Sequence, residues 1–458
     1  MRKAPGLSLC AGLWLAVAGT VPMGAGAQAA PPDPASAATA SSRGGEPDAP
    51  KPHIEQRIEP RELSGDFPQR PSMAPAWTIA TESLGFAQPG ALYLGARNSM
   101  ASLDFIGENR LLFTFHVPAL LRRIPGDQDA SDEREIRAVV LAVPSGAVEA
   151  EANWLLHDRA RYLWMLRDGH FLLRDRDSLE EGDASLKLSP LLKFPGPLLS
   201  VELDPSQRIM VTGSREPVND AKAQGASDPS QATGVDTSDT SGANEPDIVL
   251  RILNRDSNQT ILVTRVRDLV HVPANDEGYL DSPRGNGVDW TVDMNFFGGG
   301  SRPIGSLKST CMPDLSFLSE HELLAAACAD LGENALVAMS TSGRKLWVDV
   351  VTDREVWPLL VRSAGGERVG RETLYVTHSI TAFAPLGDDE IKGQWLQVFD
   401  AATGRVAFET PVSPILDAGG NVAISPSGRR VAVLNGGAIE IFELPAPPAV
   451  PDAEHLAR

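Results

Sequence analysis

The sequence has 458 residues, room for two or three ordinary domains or for one large β-architecture. Hydrophobic residues make up 42%, enough to build a core, and 41 glycines with 36 prolines favour many turns over long helices. A formal charge of −19 argues against a nucleic-acid backbone or an anionic lipid surface as the main partner, since both require clustered positive charge.

Residues 1–29 have the layout of a secretory signal. Arg2 and Lys3 precede an apolar run from Leu7 to Val17, and Ala25-Gly26-Ala27 or Ala27-Gln28-Ala29 supplies a small-x-small cleavage site. That run is shorter than the ~20 residues a spanning helix needs, and no later stretch approaches that length. Cys10 lies ahead of most of the apolar run, where a lipobox would need it to follow, so an acylated anchor is not expected. The mature protein is expected to be exported, periplasmic or extracellular.

Residues 30–70 are dominated by Ala, Pro, Ser, Asp and Gly and are expected to form a disordered tether. A second stretch of this kind, 217–246, carries Asp220, Asp228, Asp236, Asp239 and Glu245 against a single Lys222. Its carboxylates lack the alternating Asp-x-Asp spacing and distal Glu of an EF-hand loop, so it is read as a solvated acidic insertion. Residues 446–458 are expected to be a flexible tail.

Between these segments one pattern recurs: a short apolar strand, a polar turn, and a second apolar strand opened by a charged residue. Clear copies run from Leu103 to Phe113, Val201 to Val211, Leu315 to Ala325 and Val422 to Val433, with a looser one at Val361 to Val369. The copies recur in units of about forty to fifty residues, the spacing of β-propeller blades. A second element, a tight turn ending in Gly, recurs at Val143–Val148, Ser340–Leu346 and Phe399–Val406. Two hairpins per unit make four strands. The fold class is therefore all-β, a single propeller over residues 75–445.

Seven blades are expected, at 102–150, 152–196, 198–265, 268–310, 313–351, 355–411 and 420–444. The fourth is irregular and Gly-rich, and the seventh has only three strands of its own. An N-terminal strand, read at Ala91–Gly95, is expected to complete the seventh blade and remove the open sheet edge.

Ser425-Pro-Ser-Gly428 and Asp400-Ala-Ala-Thr-Gly404 resemble the turns of WD40-like and quinoprotein-type propellers. With Arg161-Tyr-Leu-Trp-Met-Leu-Arg-Asp-Gly-His170, the chain is similar to a group of exported bacterial propeller proteins without assigned activity. The resemblance implies a propeller and is nearly silent about function. No Gly-His opens a blade and no Trp-Asp closes one, as true WD40 repeats would require.

Cys311 and Cys328 are the two cysteines that remain after signal removal, and they flank one hairpin almost as cross-strand partners. In an exported chain this favours a structural disulfide. His157, His170, His271, His321 and His378 each stand alone, so no sequence-local metal site is expected; Asp158, His157, Asp204 and His378 lie near strand ends where one could assemble. Phe296-Phe-Gly-Gly-Gly-Ser301 lacks the Lys-Ser/Thr ending of a phosphate loop, and no Gly-x-Ser-x-Gly elbow is present. Trp154, Trp164, Trp290, Trp347, Trp357 and Trp395 are expected to fill the widening gaps between blades.

No catalytic residue, cofactor or metal is assigned. The expected function is a monomeric propeller presenting a binding surface for a protein, peptide or glycan. The rival reading is a lactonase-like hydrolase with a carboxylate-held metal at the axis.

Overall fold

A computed structural model of the chain describes residues 70–86, 101–117, 134–157, 161–216, 247–267, 269–328, 334–351, 356–358, 363–365, 367–376, 391–416 and 420–447. The expected signal, most of the tether, the acidic insertion, nearly all of the tail and the Ala91–Gly95 segment lie outside them.

Seven antiparallel sheets follow one another around a ring, a seven-bladed β-propeller. A strand at Trp77–Ala80 (β1) precedes the first full blade, which is β2 (Ala101–Gly107), β3 (Arg110–His116), β4 (Arg134–Ala142) and β5 (Val148–Leu156). Blade 2 is β6 (Leu163–Met165), β7 (His170–Asp175), β8 (Ser178–Asp183) and β9 (Leu188–Lys193). Blade 3 is β10 (Leu198–Leu203), β11 (Ile209–Glu216), β12 (Asp247–Asn254) and β13 (Gln259–Val266). Blade 4 contains β14 (Gly278–Asp281), β15 (Asp289–Phe296) and β16 (Ser301–Lys308). Blade 5 is β17 (Asp314–Ser319), β18 (Glu322–Cys328), β19 (Asn334–Ser340) and β20 (Lys345–Val351). In blade 6 the inner position is shared by β21 (Val356–Pro358) and β22 (Ser363–Gly365), both paired with β23 (Arg368–Val376), followed by β24 (Ile391–Asp400) and β25 (Val406–Val412). Blade 7 is β26 (Val422–Ile424), β27 (Arg430–Asn435) and β28 (Ala438–Glu443), completed by β1.

The irregular fourth blade has an inner strand in all but name. Ala274 bridges to Tyr279, Leu280 N donates to Pro273 O (2.8 Å), and Asn275 N donates to Gly278 O (2.8 Å). The segment from His271 to Ala274 thus lies along β14 as the innermost element. The first strands of the blades meet at the axis: in blades 7 and 1, Leu103 N donates to Gly420 O at 2.7 Å.

An N-terminal strand closes the ring, as the sequence implies, but it is β1 rather than Ala91–Gly95. Trp77, Thr78, Ile79 and Ala80 pair with Ile441, Glu440, Ile439 and Ala438. The physical reason is packing on one face of the strand and in the turn that follows it. Ile79 is buried, and a 3-10 turn at Glu82–Leu84 ends on Gly85 at φ +86° and turns Phe86 against Phe113 and Phe115. Thr81 fixes the corner, its Oγ donating to Gly437 O at 2.7 Å.

Trp154, Trp164, Trp290 and Trp347 belong to apolar clusters between blades, as expected, while the side chain of Trp357 lies outside the described residues. Trp154 of blade 1 packs on Phe171 of blade 2. Trp347 of blade 5 stacks on Phe399 of blade 6, and its Nε1 donates to Ala401 O at 2.5 Å. Gly404, at φ +67°, lies so close to that indole that a Cβ would stand 2.6 Å from it. This is why the Asp400–Gly404 turn ends in glycine.

In blades 1 to 6 the outermost strand pairs with its neighbour through a one-residue register shift, at β5, β9, β13, β16, β20 and β25. Such a bulge twists a free edge away from flat pairing. β1 pairs without one.

Candidate functional site

Propeller blades turn the two faces of each sheet toward their neighbours, and the inner strands bring side chains from successive blades to the axis. On β10, Val201 and Leu203 belong to the apolar cluster shared with blade 2. By alternation Glu202 faces blade 4. There it meets His271, at the start of the inner segment of blade 4, and Asp314, the first residue of β17 in blade 5. His271 Nε2 pairs with Glu202 Oε1, and Nδ1 pairs with Asp314 Oδ1 at 2.6 Å. Three consecutive blades are joined through one imidazole.

The side chain of His271 is 41% exposed, so this bridge sits at a lip open to solvent. Partial burial favours the neutral ring, but the hydrogen bonds and charges of Asp314 and Glu202 overcome it and push the pKa up to about 10. His271 is therefore an imidazolium at neutral pH, donating from both nitrogens.

Two more carboxylates stand in the same seam. Asp281 of β14 and Asp293 of β15 are directly opposite in the ladder. Their neighbours Leu280, Val292 and Met294 pack toward blade 5, so the two aspartates face blade 3. Burial, then the charge of Asp281, raises the Asp293 pKa from its ordinary value, and its Oδ1 is shielded from solvent without a hydrogen-bond partner. Like charges opposite one another destabilise a sheet pair. Two carboxylates to one imidazolium leave the bridge acidic, and Asp281 and Asp293 add two more carboxylates to the seam.

The residues that sequence spacing placed near strand ends are not gathered here. His157 binds Asp175 through Nδ1 (3.1 Å) and its backbone N–H (2.9 Å). Asp204 caps its own turn, accepting from Ser206 N (3.0 Å) and Ile209 N (2.8 Å). Asp158 and His378 lie outside the described residues. His170 pairs with Glu181 at 2.9 Å on blade 2. Among the described residues, no group of three or more His, Cys, Asp and Glu side chains has a geometry that would hold a metal ion. For the Glu202–His271–Asp314 bridge the reason is simple: the two ring nitrogens face opposite ways, so one ion cannot be shared by all three.

A second polar cluster, in blade 6, is closed off. Arg371 pairs with Asp349 (2.7 Å) and donates to Gln397 Oε1 (2.7 Å), whose Nε2 donates to Glu409 (2.6 Å). Arg371 and Gln397 are buried, and the cluster knits blades 5 and 6.

Cys311 and Cys328 form a disulfide, with Cα atoms 5.5 Å apart. It staples the loop ahead of β17 to the end of β18, and Thr310 N donates to Cys328 O at 2.8 Å. The bond thus pins the strand end that presents Asp314.

No family model and no curated protein matches the chain. Solved structures similar to it include an acylaminoacyl peptidase in complex with Z-Gly-Gly-Phe-chloromethyl ketone, at 10% identity and a TM-score of 0.44, covering 76% of this chain and 52% of that one. The uncomplexed acylaminoacyl peptidase of Pyrococcus horikoshii matches at 9% identity and a TM-score of 0.42, covering 77% and 52%. TolB from Acinetobacter baumannii matches at 12% identity and a TM-score of 0.36, covering 68% and 74%. This chain spans about half the length of the peptidase structures. The blade count rests on the strand pairing itself.

Proposed function

We propose that the protein is an exported β-propeller that presents a binding surface without catalysing a reaction, and that the acidic lip of blades 3 to 5 receives a cationic group of a peptide or protein. The observation that carries this reading is the convergence of Glu202 and Asp314 on His271 across three consecutive blades, with Asp281 and Asp293 paired in the seam between blades 3 and 4. Their charge exceeds that of His271, and a lysine or arginine side chain supplies the missing positive charge and the donors. Both nitrogens of His271 are engaged by carboxylates, which leaves the ring no free position to act as a base. The disulfide supports export, since such bonds persist in oxidising compartments. Among the described residues no helix is long and apolar enough to cross a membrane.

The test is titration of the purified protein with a fluorescent lysine- and arginine-rich peptide at low salt. Glu202→Gln and Asp314→Asn, each alone, should weaken binding about tenfold, and raising the ionic strength should weaken it further. Binding unaffected by both substitutions would remove the lip as the site. A tightly held equivalent of calcium or zinc together with hydrolysis of a lactone would replace the reading with the metal hydrolase.

A further inference from the structure

Asparagine is a labile residue, and most so before glycine, where the next backbone nitrogen can reach the side-chain carbonyl with no Cβ in the way. The sequence holds two such pairs, Asn286-Gly287 and Asn435-Gly436. The structure places them in opposite circumstances.

Asn435 is held. It ends β27 opposite Ala438, and its Nδ2 donates to Glu440 Oε2 at 3.1 Å. The turn that follows is pinned by the closing strand, since Thr81 N (3.0 Å) and Thr81 Oγ (2.7 Å) both donate to Gly437 O. Swinging the Asn435 amide onto Gly436 N would cost the bond to Glu440 and strain a fixed corner.

Asn286 has no such restraint. It and Gly287 are exposed, in the turn between β14 and β15. Gly287 has φ +66°, and a Cβ built there would meet nothing within 4 Å, so the turn is uncrowded on that side. Among the described residues, neither the Asn286 amide nor Gly287 N has a hydrogen-bond partner. The carbonyl of the same peptide group, Asn286 O, accepts from Asp289 N at 3.2 Å. That bond favours the charged form of an amide that must give up its proton.

We infer that Asn286 is a self-modifying site. Gly287 N attacks Asn286 Cγ, the Cγ–Nδ2 bond breaks, and ammonia leaves with the proton that Gly287 N gives up. The cyclic imide then takes up one water at either carbonyl, leaving aspartate or isoaspartate. Water is the co-reactant, and no enzyme is required. Each conversion adds a carboxylate at the lip end of blade 4, where Val288 O accepts from Ser309 N (2.8 Å) in the loop that leads to Asp314. The chain grows more acidic there with age. The inference is independent of what the lip binds.

The experiment incubates the purified full chain at mildly acidic and mildly alkaline pH, followed by isoelectric focusing and by mass spectrometry of its peptides. The peptide containing Asn286 should convert faster at alkaline pH, and at least about tenfold faster than the peptide containing Asn435, because only the first can reach the attacking geometry freely. Its product should include isoaspartate. Wild type should gain an acidic band that Asn286→Gln, whose longer side chain closes the ring poorly, does not, with the melting curve showing that the variant is folded. Equal rates at the two pairs, or an Asn286 that stays an amide, would overturn the inference. So would an acidic band equally strong in Asn286→Gln. Aspartate without isoaspartate would mean direct hydrolysis and would remove the imide route.

Discussion

Between blades 7 and 1, eighteen buried apolar side chains form one continuous cluster, running from Ile79, Leu84 and Phe86 through Phe113 and Phe115 to Ile439 and Ile441. Between blades 3 and 4 the corresponding cluster has four buried members, Ile209, Val211, Ile252 and Ala274, and the inner part of the seam is given over to Glu202, Asp281 and Asp293. The first seam has to hold two ends of the chain together without a covalent link, and hydrophobic burial is the force able to do so. The second is crossed by continuous chain and flanked by well-packed neighbours, so it can give up apolar contacts to polar groups. The candidate site lies in the seam with the smallest apolar cluster among the described residues.

The largest effect that could break this contrast is removal of the closing strand. A chain lacking residues 70–86 loses Ile79, Leu84 and Phe86 from the closing cluster, each worth about 1.5–3 kcal/mol, against a total stability of about 5–15 kcal/mol. It should lose cooperative melting and aggregate through the exposed edge of β28. A soluble, sharply melting product would mean that the ring does not depend on this seam.

The same substitution placed in both seams sharpens the comparison. Ile441→Ala, in the dense cluster, should approach about 5 kcal/mol in chemical denaturation, near the upper end of the usual range. Ile252→Ala, beside the polar lip, should lie near about 2 kcal/mol because its surroundings can collapse. Equal values would show the two seams to be equivalent.

Next comes the covalent staple beside the lip. Replacing Cys311 and Cys328 by Ser opens a loop of sequence separation 17 and should destabilise by about 3 kcal/mol in the chain-entropy model. Thiol titration of the denatured, unreduced wild type should find neither of these two sulfurs free.

A smaller effect tests the charge on His271. Its folded pKa is raised to about 10 from an ordinary 6.5, so the ionic bridge stabilises fully below about pH 6.5 and is lost as pH rises through 10. The stability gap between wild type and His271→Gln should therefore be largest at pH 6 and close toward pH 10. A gap that widens with pH would reverse the assignment. The smallest effect expected is Asp293→Asn, which removes a like-charge pair and should stabilise by a few tenths of a kcal/mol, on the order of 0.5. Because burial and Asp281 raise the Asp293 pKa, that gain should be present at pH 7 and fade as the pH falls into the carboxylate range.

The blades were legible because each one repeats a local instruction. The Ser425-Pro-Ser-Gly428 and Asp400–Gly404 turns reverse the chain where the residues say they should, with Gly428 N bonded to Ser425 O and Gly404 N to Asp400 O. Closure by an N-terminal strand followed from the three-stranded last blade. Which strand would do so did not, because the choice rests on Phe86 reaching Phe113 and Phe115, a contact without local spacing. The site was hidden for the same reason. Glu202 and Asp314 lie on first strands next to the visible repeat, but His271 sits in the irregular blade, and only the curvature of the ring brings them together. His157 and Asp204 were conspicuous in the sequence, yet they serve an adjacent strand and a turn.

The pairing of β1 with β28 also sets an order on folding. Thr81 and Gly437, which hydrogen-bond at the closing corner, are separated by 356 positions along the chain. Contacts this distant form late, because the chain between them must be organised before the ends can meet. Of the described strands, β1 is the first to be synthesised and among the last to find its partner. Until the final blade is available, the ring stays open and β1 remains unpaired. A chain with this topology withholds its finished state until its last blade is made.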